Sequence, residues 1–267
     1  MKRVKHFFAP CMELLFWPEL KSTFLFSLAA AQQSFRLFVT HLWWLFPVVL
    51  VMVLAQSQTM MPILSKFNFF DVIPGVSLPQ VSVAMFIVSA LISNFCSYFF
   101  SFAALLLMRP SREAKDWNYL VNGLNAYFIP SLVVFPAYLL LSGYGLFATA
   151  WAFSMLFFMD NEFDMESLSK SLKNGFWACA RFFPVVIVVS GVSAICFAIV
   201  GLGLAFLANW MLSTTYGSLF VAQIVISLSA LGLLLLAAPL VFFHLAVINT
   251  VYIKILSKFR GLFFKED

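Results

Sequence analysis

Five stretches of this chain contain no Asp, Glu, Lys or Arg: residues 37–56, 81–108, 126–159, 184–208 and 219–248. Crossing a hydrocarbon core of about 30 Å as helix takes about 20 apolar residues. Each run meets that length. In lipid, only helices and closed barrels satisfy every backbone group. A barrel strand alternates apolar and polar residues over about 10 positions, whereas these runs are solidly apolar. The expected fold class is therefore an all-α integral membrane protein. Composition agrees: the 267 residues are 63% hydrophobic and 10% charged, against roughly a quarter charged in soluble domains.

The number of crossings turns on residues 126–159. As a single helix they would reach about 50 Å. Ser142-Gly143-Tyr144-Gly145 offers a turn, because glycine tolerates positive φ, and splitting there gives two short helices. The positive-inside rule arbitrates. Six crossings from a cytoplasmic N-terminus put segments 1–36, 109–125, 160–182 and the tail from about 249 on one side. Those segments hold fifteen of the sixteen Lys and Arg, leaving Lys66 alone outside. Five crossings would divide them eight and eight.

The sequence thus predicts one membrane domain over 1–267, with six transmembrane helices and both termini in the cytoplasm. It comprises an interfacial N-terminus (1–36), hairpin 1 (37–108), hairpin 2 (117–159, spanning or re-entrant), an interfacial helix with hairpin 3 (162–248), and a basic tail (249–267). A bacterial inner membrane suits this pattern. The N-terminus lacks a cleavage pattern and is expected to lie at the interface. Its Phe7, Phe8, Leu14, Leu15, Phe16 and Trp17 would face lipid. The tail is expected to rest on anionic headgroups or a partner. Ile248, Val251, Ile255 and Phe259 would form one side and Lys254, Lys258 and Arg260 the other.

Three helix starts resemble one another: Leu45-Phe46-Pro47-Val48-Val49, Phe128-Ile129-Pro130-Ser131-Leu132 and Phe182-Phe183-Pro184-Val185-Val186. Upstream of the last two, Leu120-Val121-Asn122-Gly123 with Ala126 matches Leu172-Lys173-Asn174-Gly175 with Ala178. The pattern predicts three parallel repeats, each an interfacial helix, a bend at Asn-Gly and a helical hairpin. Mitochondrial carriers also hold three two-helix repeats, but their Pro-x-acidic-x-x-basic signature is absent. In the interfacial helix after residue 160, Met165, Leu168, Leu172 and Phe176 recur at helical spacing as an apolar stripe.

Chemistry is sparse. No acidic or basic residue falls at hydrocarbon depth, which argues against proton or ion coupling and carboxylate catalysis. His41 and His244 lie at similar expected depth, the geometry a bis-His haem would need; interfacial histidines are the plainer reading. Ser89, Ser93, Ser97 and Ser101, with Asn94 beside them, form a polar stripe on the second helix. Small residues of this kind more often let helices approach closely than line a path. Gln223 is read the same way, as are Gly201, Gly203, Ser190 and Ala198 in the fifth helix. The four cysteines form no CxxC pair, so no metal, cofactor or disulfide is expected. The expected partners are the bilayer, anionic headgroups and other membrane proteins, with no nucleic acid. The expected role is a non-enzymatic scaffold, assembly factor or complex subunit. The alternative is a channel or facilitator for a neutral or lipid-like solute.

Overall fold

A computed structural model describes residues 2–41, 83–109, 117–141, 145–160, 165–214 and 219–259. The first predicted crossing, with Pro47, and the outer loop lie outside the described residues. What is described is helical almost throughout. α1 spans Lys2–Leu15, α2 Trp17–His41 and α3 Val83–Met108. α4 is composite and runs over 117–141. α5 spans Gly145–Asp160, α6 Met165–Thr214 and α7 Leu219–Lys258. Four segments are long and apolar enough to cross a membrane: Ile87–Met108, Asn118–Leu141, Leu168–Gly191 and Pro239–Lys258. The fold is all-α and suits a multi-pass integral membrane protein, as the uncharged runs require.

The chain divides into two compact units. Unit 1 holds residues 1–42, 98–193 and 241–267. Its centre is α5, where Thr149 through Met159 are all buried. A helix buried on every side must be surrounded by other helices, which fits a segment without a polar face. The last turns of α3 are equally enclosed, with Phe102 through Met108 all buried. α2 runs antiparallel along α7. Phe24 meets Phe243, and both Phe35 and Phe38 meet Phe242, edge to face at 5.2–5.6 Å. Such aromatic pairs add about 0.5–1.5 kcal/mol each beyond area burial. Deeper between the two helices, the Ser27 hydroxyl donates to Thr250 Oγ1 at 3.1 Å.

Unit 2 holds residues 43–97 and 194–240. Of its described side chains, Ser89 and Cys96 are buried, while Ile195, Ile199, Leu202, Phe206 and Trp210 form an outward stripe on α6. That spacing marks one face of a helix, as expected of a lipid-facing surface. Gly203 faces open space, since a Cβ there would meet nothing within 4 Å. Ala198 is exposed too. These two positions are therefore not the close-packing face the sequence suggested, whereas Ser190, in unit 1, is buried.

Both Asn-Gly pairs lie within helical segments. Gly123 has φ −65° and ψ −37°, ordinary α values, and α6 runs unbroken through Asn174, Gly175 and Pro184. Both glycines serve close packing instead. A Cβ on Gly123 would lie 2.5 Å from Leu106 Cδ2 in α3. On Gly175 it would lie 2.0 Å from Ser154 Oγ and 2.4 Å from Ser154 N in α5. Each glycine thus packs on the helix before it. The buried stripe of α6 is Leu168, Ser171, Gly175, Ala178, Cys179 and Phe182, rotated from the apolar stripe of the sequence, while Phe176 points outward. Small side chains let the α5 and α6 backbones approach, and in lipid such proximity is what holds helices together.

Candidate functional site

Three polar clusters lie in unit 1, each built where the sequence forces a backbone or charge problem.

The first sits in α4. Pro130 has no N–H, and its ring crowds the carbonyl four residues earlier. The helix widens just before it into a π turn, Leu124–Phe128, in which the Ile129 N–H reaches back to Leu124 O. Pro136 removes a second donor. The ladder tightens into a 3-10 turn, Leu132–Val134, and the Phe135 N–H goes to Leu132 O. Ser131 O thereby loses its regular α-helical donor. Tyr98 of α3, fully buried, supplies one: its hydroxyl donates to Ser131 O at 2.8 Å and lies 3.0 Å from Ser131 Oγ. Ser131 Oγ donates in turn to Phe128 O at 2.7 Å. Phe128, Phe135, Tyr138 and Trp151 surround the Tyr98 ring, with centroids 4.9–5.8 Å away.

The second cluster joins four helices. Arg109, just past α3, places Nε 3.4 Å from Asp160 Oδ1 at the end of α5. Its NH1 donates to Tyr127 of α4 at 3.1 Å, and its guanidinium carbon lies 5.5 Å from that ring's centre. Tyr252 of α7 donates to Asp160 Oδ2 at 2.5 Å. The open carbonyls at the end of α3 are met by side chains: Tyr119 donates to Leu106 O and Asn249 Nδ2 to Met108 O. A helix C-terminus leaves four such carbonyls unpaired. The Asn249 Oδ1, buried in the same region, has no hydrogen-bond partner.

The third cluster ties the N-terminal helices to α7. Lys254 Nζ lies 2.6 Å from Glu19 Oε2 and also donates to Glu19 O and Ser22 Oγ, while Lys258 Nζ lies 2.6 Å from Glu19 Oε1. Glu13 is 3.7 Å from Lys258. Lysines four apart on α7 lie on one face, so each takes one oxygen of a single carboxylate. The hydrogen bonds from Lys254 and Lys258 hold the Glu19 carboxyl down at about 2.

The tail expectation changes accordingly. Ile248, Val251 and Ile255 are fully buried in protein, and Lys254 and Lys258 bind Glu19 rather than standing free. Leu14 also faces protein, at 0% exposure, whereas Phe16 and Trp17 do point outward. Phe7's side chain lies outside the described residues.

The residues singled out from sequence fare unevenly. Ser89 is buried, and Ser93 and Ser97 are half-buried. Ser101 is half-buried as well. Asn94 donates to Ala90 O of its own helix at 2.8 Å. The side chains of His41 and Gln223 lie outside the described residues, so the His41–His244 pair does too. Among the described residues, no three His, Cys, Asp or Glu come together in metal-binding geometry. Sequence reasoning missed Tyr98, Arg109, Asp160, Tyr252 and Glu19. One signal was present for Tyr98: two prolines six residues apart in one span imply an orphaned carbonyl that something must satisfy. Comparison with protein-family models, curated proteins and solved structures finds no match to this chain.

Proposed function

We propose that this chain is a structural subunit of a membrane assembly: a scaffold, assembly factor or complex component rather than an enzyme. One observation carries the reading. The buried polar side chains whose hydrogen bonds are seen hold helices together or bond their own backbone, and Trp151 Nε1 and Asn249 Oδ1 are buried without a partner. Tyr98 serves Ser131, Ser27 meets Thr250, Asn249 caps α3, and Ser154 and Ser190 bond the carbonyls of Ala150 and Val186. A solute path needs polar groups turned toward a common space. In this reading six helices cross a bacterial inner membrane with both ends inside, and the Gly123 and Gly175 contacts mark two of three parallel repeats.

The test begins with native membranes. The chain is crosslinked before solubilisation and separated by native electrophoresis. The expected result is migration well above its 30.1 kDa mass, with another membrane protein at constant stoichiometry. Migration alone, together with uptake of a neutral solute by reconstituted vesicles, would overturn the reading in favour of a facilitator.

A further inference from the structure

We propose that the elbow between α1 and α2, at Phe16–Trp17, is an anchor for an anionic lipid surface. The proposal rests on the membrane reading above and adds to it the element and the lipid charge. Each helix buries one side: Cys11 and Leu14 of α1, Thr23 and Ser27 of α2. Outward stand Phe8, Met12, Phe16, Trp17, Leu25, Phe26 and Leu28, and the two elbow rings are the most open, at 67% for Phe16 and 73% for Trp17 against 66% for Phe26. Adjacent exposed aromatics followed by Pro18 suit the headgroup level, where an amphipathic ring meets both water and acyl chain.

Charge selects the occupant. Glu13 and Glu19 are the acidic residues of α1 and α2, and both are paired to lysines of α7. By sequence the same two helices carry five Lys and Arg, at 2, 3, 5, 21 and 36, against those two acids, a net positive excess. Lys21 is exposed, one turn after Trp17 on the same side of α2. A second copy of this chain would bring the same positive charge against it. An anionic headgroup layer neutralises it.

The Glu19 clamp adds rigidity. It sits two residues past Trp17 and fixes the elbow's inner side to α7 through both carboxylate oxygens. The rings are thus presented already ordered, which lowers the entropy lost on docking.

The full-length chain is tested with Cys11, Cys96, Cys179 and Cys196 replaced by Ala and Phe16→Cys carrying an environment-sensitive NBD fluorophore. It is reconstituted into phosphatidylcholine vesicles with or without phosphatidylglycerol, and quenching by lipids bearing a nitroxide near the headgroup is read. The expected result is blue-shifted, quenched emission that is severalfold stronger with the anionic lipid. Most of that gain should be lost when Lys2, Arg3, Lys5 and Lys21 become Gln, and weakened by Glu19→Gln. Water-like emission in both vesicles overturns the proposal, as does equal quenching in both. Blue-shifted emission that lipid nitroxides do not quench also overturns it, since protein then covers the elbow. Resistance of the reconstituted chain to carbonate extraction, measured alongside, separates failure of the elbow from failure of the membrane reading.

Discussion

Replacing Gly175 by Ala should destabilise the protein, while the same change at Gly123 should be nearly neutral, although the two occupy matching positions in the sequence. The added Cβ at 175 would meet Ser154 Oγ at 2.0 Å, Ser154 N at 2.4 Å and Ser154 Cα at 2.6 Å. Two of those atoms are backbone, so relief requires α5 and α6 to separate by about 1 Å. Overpacking of this kind costs about 1–3 kcal/mol. Ala in place of a helical Gly returns about 1 kcal/mol. With backbone atoms at 2.4 Å and 2.6 Å the cost falls in the upper part of that range, about 2–3 kcal/mol, so the net expectation is a loss of about 1–2 kcal/mol, or roughly 2–8 °C in melting temperature for a chain of this size. At 123 the neighbours are Leu106 Cδ2 at 2.5 Å, Cδ1 at 2.8 Å and Cγ at 3.1 Å, all in one side chain. Turning it costs about 0.5–1.5 kcal/mol, which the gain in helix propensity offsets. Thermal unfolding of the purified variants in one detergent decides the matter. Adding Ser154→Ala should not rescue Gly175→Ala, because the backbone atoms remain. Equal melting temperatures, or rescue by Ser154→Ala, would refute the reasoning.

Other consequences are equally direct. Tyr98→Phe removes the donor from Ser131 O and should cost about 1–3 kcal/mol, read as a lowered melting temperature; an unchanged value would mean that Ser131 O has another partner. Glu19 titrates well below its usual 4.5, at about 2. A depressed carboxyl stabilises the fold above its unfolded value, so that contribution should disappear as pH falls from about 4.5 to about 2. With the carboxylate partly solvated it is worth about 1 kcal/mol or less. Wild type and Glu19→Gln should therefore differ in melting temperature at neutral pH and converge in acid; a gap that persists in acid counts against the clamp. Ser93→Leu with Ser97→Leu should lower stability and assembly if these serines pack between helices. Normal assembly with lost solute flux would instead favour a path.

Much of the fold could be read before any coordinates. Runs without charge leave a chain in lipid no option but helix, whereas the departure of α4 from regularity at Pro130 and Pro136 was not read from the sequence. The Asn-Gly pairs were read as bends, whereas both lie within helices and pack closely on a neighbour. Glycine at a turn and glycine at a helix crossing look alike in one sequence, because both are defined by what the missing Cβ makes room for. The apolar stripe of α6 does not coincide with its buried side. Large residues need not face protein in a membrane, because lipid is as apolar as a protein core. The inward side was the one with Ser171, Gly175 and Ala178.

The clusters needed the tertiary structure. Glu19 and Lys254 are 235 residues apart, and Tyr252 and Asp160 are 92 apart; no local pattern announces such pairs. The tail shows the same limit, for its amphipathic spacing suited lipid and protein alike, and α2 turned out to supply the surface. The sequence by itself determined that this chain is helical and built for a bilayer, because hydrocarbon penalises unpaired backbone regardless of what surrounds the helix. Which face of each helix meets protein, and which lysine meets which carboxylate, was decided by three-dimensional proximity, because inside a membrane the hydrophobic effect no longer separates inward from outward.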